Sequence, residues 1–171
     1  KKVIEGIRYA QRENKVRLKI NAVPIYGLDE AEILSLIEFA RESDTDVRFI
    51  EVMPIGAGTE FESITEDDIR NVIEKHYGKL TLCEEIRGNG PSVHYSLDGF
   101  KGKIGFISAI SHKFCEKCNR VRLTADGYLK TCLQFEAGVN LMPCLREGKS
   151  DDELLEALLY GISQKPKAHQ F

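Results

Sequence analysis

Cys115, Cys118 and Cys132 stand as Cys-x2-Cys-x13-Cys inside the run FCEKCNRVRLTADGYLKTCL. No other feature constrains the chain as much. A Cys-x2-Cys pair brings two thiolates to one metal centre, and the third joins them from a returning strand after a hairpin-length insert. Asp126-Gly127 supplies the turn signal for that hairpin. No fourth cysteine follows at short spacing, so three thiolates on a tetrahedral centre leave one position open, and an open position belongs to a substrate. Zinc and an iron–sulfur cluster both use thiolates at such spacings, and the spacing alone leaves the two open. A structural zinc site would take His112 as the nearest fourth ligand, although His112 by itself reads as a surface loop residue. Arg120 and Arg122 alternate, so in an extended stretch they share a face. A metal with an open site beside two guanidinium forks suits a ligand carrying several phosphates.

The rest of the chain reads as alternating helices and strands. Val3, Ile4, Ile7 and Ala10 recur at helical spacing. VRLKINAVPI then alternates, with Val16, Leu18, Ile20 and Ala22 against Arg17, Lys19 and Asn21. Asp29 is placed to cap a helix through Ile33, Leu36, Ile37 and Ala40, and a second strand follows in VRFIEVMPI, residues 47–55. Helix, strand, helix, strand is the rhythm of a parallel α/β layer or part of a barrel. Lys19 and Asn21 share one strand face, and Glu51 and Met53 another. Such polar faces belong either to a wet edge strand or to a lumen lined for a polar ligand.

After Pro54 the rhythm changes. Thr65 with Asp68 forms a capping box ahead of Ile69, Val72 and Ile73, in a helix ending at Gly78. SVHYSLDG, GKIGFISAI and RVRLTADG–YLKTCL read as short strands. Ser150 with Glu153 caps a last helix whose leucine stripe, Leu154, Leu155, Leu158, Leu159 and Ile162, reads as packing. The boundary falls near Gly56–Gly58.

A net charge of -3 and 42% hydrophobic residues are ordinary for a globular chain, and give no bulk basicity for sequence-independent nucleic-acid binding. No apolar run reaches the roughly 20 residues of a membrane span. Five cysteines, three of them clustered, read as reduced and metal-binding, which places the chain in the cytoplasm. Cys83 and Cys144 read as packing residues.

VRFIEVMPIG followed by GFISAISHKFCEKCNRVRLTADGYLKTCL resembles the C-terminal half of the molybdenum cofactor biosynthesis protein A family, radical S-adenosylmethionine GTP 3′,8-cyclases. The likeness runs from KINAV to KPKAHQF, and the cysteine run with its interleaved NRVR is its most specific part. The resemblance implies an α/β fold: the last βα units of an incomplete radical S-adenosylmethionine barrel in residues 1–56, and a small α+β domain binding a [4Fe-4S] cluster and GTP in residues 57–171. It implies that Cys115, Cys118 and Cys132 hold that cluster, with one iron open to the guanine of GTP. By the same likeness Lys19, Arg120, Val121 and Arg122 contact GTP, and Met53 contacts S-adenosylmethionine. Asn21 and Glu51 are expected to stand behind those groups.

A second [4Fe-4S] cluster, held in the family by a Cys-x3-Cys-x2-Cys motif, cleaves S-adenosylmethionine, and that motif is absent from this sequence. The product, 3′,8-cyclo-GTP, passes in the family to molybdenum cofactor biosynthesis protein C. A homodimer is one open assembly. The chain opens within a helical pattern and stops at Phe171, short of the family's glycine-glycine tail, so the expectation is a piece truncated at both ends and inactive alone. The competing class is a zinc-stabilised three-cysteine module whose Arg120 and Arg122 grip nucleotide or nucleic-acid phosphates. The net charge, and the lack of an aromatic–basic stripe, speak against nucleic acid.

Overall fold

A computed structural model describes residues 1–13, 15–85 and 87–171. The chain forms two compact units, Lys1–Lys113 and Phe114–Phe171. The first unit runs α1 (Lys2–Glu13), β1 (Leu18–Ala22), α2 (Glu30–Glu42), β2 (Thr45–Ile50), a 3-10 turn (Gly56–Glu60), α3 (Glu66–Tyr77), β3 (Thr81–Leu82), β4 (Val93–Ser96) and β5 (Ile104–Ile107). Its five strands form one mixed sheet in the order β1-β2-β5-β4-β3. β1, β2 and β5 are parallel, and β4 and β3 return antiparallel. This is the α/β architecture expected from the sequence.

The helices begin where their capping chemistry dictates. The Asp29 carboxylate accepts the Glu32 N–H while Glu32 reaches back to the Asp29 N–H, and Thr65 with Asp68 repeats the device on α3. Each box satisfies two N–H groups that the first turn leaves orphaned. α2 and α3 cover one face of the sheet: Ile33, Ile37, Ala40, Ile69 and Ile73 pack on Val47, Phe49, Ile104 and Phe106. The Phe49 and Phe106 rings stack with centroids 6.0 Å apart, and Tyr95 meets Phe106 edge-on at 5.8 Å. Strand periodicity sends the alternate residues to the opposite face. α1 forms where its apolar spacing predicts, yet none of its residues is buried.

Two boundaries differ from the sequence reading. β2 ends at Ile50, before Pro54, because the Val52 N–H turns to Ser63 Oγ at 3.0 Å and the chain enters the 3-10 turn. The compact units part between Lys113 and Phe114, whereas the change of rhythm lies near Gly56–Gly58. Beyond that loop, α3, Leu80, Leu97 and β5 join the first unit's core.

In the second unit β6 (Arg122–Leu123), β7 (Tyr128–Lys130) and β8 (Gly138–Asn140) form an antiparallel sheet, followed by α4 (Met142–Arg146) and α5 (Asp151–Ser163). The expected turn is present. Thr124 N donates to Tyr128 O at 3.0 Å and Gly127 N to Thr124 O at 3.0 Å, closing a three-residue loop with Gly127 at φ +79°. Glycine takes that conformation without the steric penalty of a Cβ. α5 starts at the Ser150–Glu153 capping box and buries Gly161 against Val139 and Leu129. Its leucine stripe is only partly packing: Leu154 and Leu158 are half-buried, while Leu155, Leu159 and Ile162 are exposed. Among the described residues no helix is long and apolar enough to cross a membrane.

Candidate functional site

The β6–β7 hairpin positions the cysteine site. Arg122 pairs with Lys130 in the ladder, so the same register carried two residues further sets Arg120 opposite Cys132. Lys165 shows that the two strands stay adjacent there. Its Nζ donates to Arg120 O at 2.7 Å and to Thr131 O at 2.6 Å. Cys118 lies two residues before Arg120 and ends a 3-10 turn in which its N–H donates to Cys115 O at 3.1 Å. The turn brings the first pair together and the hairpin returns the third. All three cysteines are half-buried, and Cys115 and Cys118 line a cavity of about 430 Å³ with Glu116, Lys165, Pro166 and Lys167.

Donor chemistry decides what this set can hold. Three thiols delivered to one hairpin end match the ligands of an iron–sulfur cluster with an open iron, or three of zinc's four. Among the described residues no three or more His, Cys, Asp or Glu side chains are set to hold a single metal ion. His112 lies in the first unit, exposed, with Nε2 4.0 Å from Asp67 Oδ1. Cys83 follows β3, its N–H on His94 O at 2.8 Å, and Cys144 sits in α4. All five cysteines are free thiols.

Arg120, Val121 and Arg122 are exposed. Within the ladder, the paired Arg122 and Lys130 share a face, and Arg120 stands two residues before β6. Directly opposite like charges repel across a ladder, and Lys130 is drawn to Glu136 at 2.7 Å. Asp126 accepts the Thr124 hydroxyl, which holds its carboxyl below the usual range together with a backbone N–H.

Lys19 belongs to the first unit, on the sheet face away from the helices. That face carries Lys19 and Asn21 from β1, Asp46 and Arg48 from β2, and His94 from β4. One row runs Asn21–Arg48–Gly105–His94 across the strands. Arg48 Nε donates to Asn21 Oδ1 at 2.8 Å, and Arg87 Nη1 reaches buried Asp46 at 2.7 Å and Asp44 at 3.2 Å. Lys19 Nζ donates to the Arg87 carbonyl. Burial pushes the Arg87 guanidinium down, but Glu85, Asp44 and Asp46 outweigh it and hold the group firmly charged. Burial lowers the His94 pKa, with Lys19, Arg48 and Arg87 in the same direction and Asp46 opposing. His94 Nε2, Asp46 Oδ2 and Ser92 Oγ are buried without hydrogen-bond partners among the described residues.

Glu51 and Met53 lie beyond the end of β2 and do not share a strand face. The Glu51 carboxylate is buried and accepts the Ile110 N–H at 2.7 Å, the Ser111 N–H at 2.9 Å, the Glu66 N–H at 3.3 Å and the Ser111 hydroxyl. Burial alone would raise its pKa, but these four donors outweigh it and lower it. Its partners are three backbone N–H groups and one hydroxyl. Met53 is half-buried, and its carbonyl accepts the Ile55 N–H at 2.7 Å.

The sequence reading named Lys19 and Asn21 on the polar face but missed Asp46, Arg48, Arg87 and His94. Asp46 and Arg48 were legible in the alternation of TDVRFI. Arg87 and His94 reach the face through a loop and a return strand that no local pattern announces.

Comparison with known proteins places this geometry. Residues 45–171 match the family described as Molybdenum Cofactor Synthesis C. The chain is 46% identical over 159 residues to a GTP 3′,8-cyclase of Clostridium perfringens, which covers 93% of this chain and 49% of the cyclase. It is 42% identical over 171 residues to a GTP 3′,8-cyclase of Syntrophomonas wolfei, covering 98% of this chain and 52% of that protein. Against molybdenum cofactor biosynthesis protein 1 of Dictyostelium discoideum it is 38% identical over 174 residues, covering 98% of this chain and 27% of the relative. The chain thus spans about half the length of the two cyclases.

Proposed function

The chain belongs to the Molybdenum Cofactor Synthesis C family, and from that premise we propose that it is the substrate-side half of a GTP 3′,8-cyclase. That enzyme converts GTP to (8S)-3′,8-cyclo-7,8-dihydroguanosine 5′-triphosphate in molybdenum cofactor biosynthesis. The observation that carries the reading is the run Cys115-x2-Cys118-x13-Cys132 with Arg120 and Arg122 inside it, in a chain 46% identical to a named cyclase. In this reading the first unit, Lys1–Lys113, carries the last βα units of an incomplete barrel, and the second, Phe114–Phe171, carries the cluster and GTP side. Parallel β1, β2 and β5 support the barrel, since among the described residues β1 has a strand neighbour on one side alone.

Cys115, Cys118 and Cys132 hold a [4Fe-4S] cluster. Arg120 and Arg122 each offer paired N–H donors to phosphate oxygens, Val121 belongs to the same GTP-contacting segment, and Lys19 of the first unit is read as a further GTP contact. Met53 gives a soft apolar contact for S-adenosylmethionine. When bound, the cofactors would supply the radical chemistry, and Cys115, Cys118 and Cys132 are the residues that would hold the cluster on the GTP side. The product is handed to molybdenum cofactor biosynthesis protein C, in the cytoplasm.

Anaerobic reconstitution tests the reading. The expected outcome is about four irons per chain with matching sulfide and broad absorption near roughly 400 nm, as thiolate-ligated clusters give. One zinc per chain with no sulfide would replace the reading with the zinc-stabilised module.

A further inference from the structure

The C-terminal tail beyond α5 meets the cysteine hairpin on both sides of Cys132. Lys165 Nζ joins Arg120 O and Thr131 O at 2.7 and 2.6 Å. Five residues on, Gln170 N donates to Gln134 Oε1 at 2.7 Å. Between these ties, Pro166, Lys167 and Ala168 form one wall of the cavity whose other wall holds Cys115 and Cys118. The ladder itself stops at Arg122 and Lys130, so it does not fix the spacing between the strands at the level of the thiols. An ammonium shared by two carbonyls does fix it. Those carbonyls belong to the residue two after Cys118 and the residue just before Cys132.

We propose that Lys165 is a positioning residue for the cysteine site, clamping the Cys118 and Cys132 strands at the separation that lets both thiolates reach one metal group. The inference rests on the reading of these cysteines as ligands. The ammonium touches neither metal nor substrate; it acts through the two peptide carbonyls. Charge-assisted bonds to carbonyls are stronger than neutral ones, and groups that orient ligands from behind typically govern metal affinity by 10–100-fold.

The test compares Lys165→Met, Lys165→Arg and Lys149→Met in the anaerobically reconstituted protein. Lys165→Met should lose metal to a chelator on the order of 10-fold faster than wild type, and hydrogen exchange over residues 119–133 of the metal-free chain should quicken. Lys165→Arg keeps charge and donors and should recover most of the difference. Lys149→Met removes an equal charge from an exposed position of the same unit away from that cavity and should behave as wild type. Equal metal retention and exchange in Lys165→Met and wild type would overturn the clamp, as would equal loss in Lys165→Met and Lys149→Met. If Lys165→Met does not fold, Lys165→Gln is read by the same two assays. A wild-type chain that takes up zinc without sulfide would end the cluster reading, while the retention and exchange comparisons would still decide the clamp.

Discussion

Glu51 and His94 are two buried titratable groups whose environments answer acid in the same direction. The Glu51 carboxylate draws Ile110, Ser111 and Glu66 onto the end of β2 and so ties the β5 exit to the start of α3. Glu51→Gln puts an amide among donors and should cost roughly 1.5–3 kcal/mol, the range for a hydrogen bond to a charged group. The sign with pH follows from the lowered pKa. The stability Glu51 contributes is present above its unfolded value of about 4.3 and is lost as pH falls through the lower folded value. Urea unfolding followed from pH 7 to pH 3 checks both the cost and a flatter acid limb in the variant. His94 has a lowered pKa as well, facing Lys19, Arg48 and Arg87 against Asp46 alone. Its neutral ring contributes above the unfolded value of about 6.5, and stability declines as pH falls through the folded one. His94→Gln should remove that earlier slope, leaving the Glu51 limb; an unchanged slope would show that another group sets it. Neither role was legible in the sequence, because each depends on distant neighbours: Ile110 and Ser111 lie 59 and 60 positions from Glu51, and Asp46 and Lys19 are likewise far from His94 in the chain.

Elements were more legible than residues wherever local chemistry fixes them. The capping boxes at Asp29, Thr65 and Ser150 and the Asp126-Gly127 turn are decided within a few positions, and each stands where the pattern placed it. The exposed half of the α5 stripe was not legible, since helical spacing marks a face without saying what covers it. The hairpin carries two element-scale predictions. Alanine at Cys115, Cys118 or Cys132 should abolish iron loading, while Cys83→Ala and Cys144→Ala should load as wild type. Iron and sulfide analysis after anaerobic reconstitution decides it, and iron lost in Cys144→Ala would supply the site with a fourth ligand. Arg120→Ala or Arg122→Ala in the complete enzyme should weaken GTP binding by roughly 1.5–3 kcal/mol. Guanosine, lacking phosphates, should bind equally poorly to wild type and variant. Calorimetry with the cluster intact checks this, and unchanged GTP affinity in both variants would return the arginines to ordinary surface roles.

On the scale of the whole molecule, each unit builds its own sheet, and the first has one apolar and one charged face. That division was visible in the alternation of LKINA and TDVRFI. The grouping of β3, β4 and β5 with β1 and β2 was not, because it depends on pairings between distant segments. The chain's cysteine inventory sets a limit on its own chemistry. Reductive cleavage of S-adenosylmethionine in the family needs a cluster held by Cys-x3-Cys-x2-Cys, and no such spacing occurs among Cys83, Cys115, Cys118, Cys132 and Cys144. In the proposed reading the cysteine run of the second unit faces GTP and Met53 contacts S-adenosylmethionine, with no further cysteine motif to bind the methionine end or deliver an electron. The 171-residue chain, reconstituted and supplied with dithionite, S-adenosylmethionine and GTP, should therefore release 5′-deoxyadenosine no faster than a control without protein. Chromatographic detection of 5′-deoxyadenosine above that control would move the radical-forming site onto the Cys115–Cys118–Cys132 cluster and reverse the roles assigned to the two ends of the reaction.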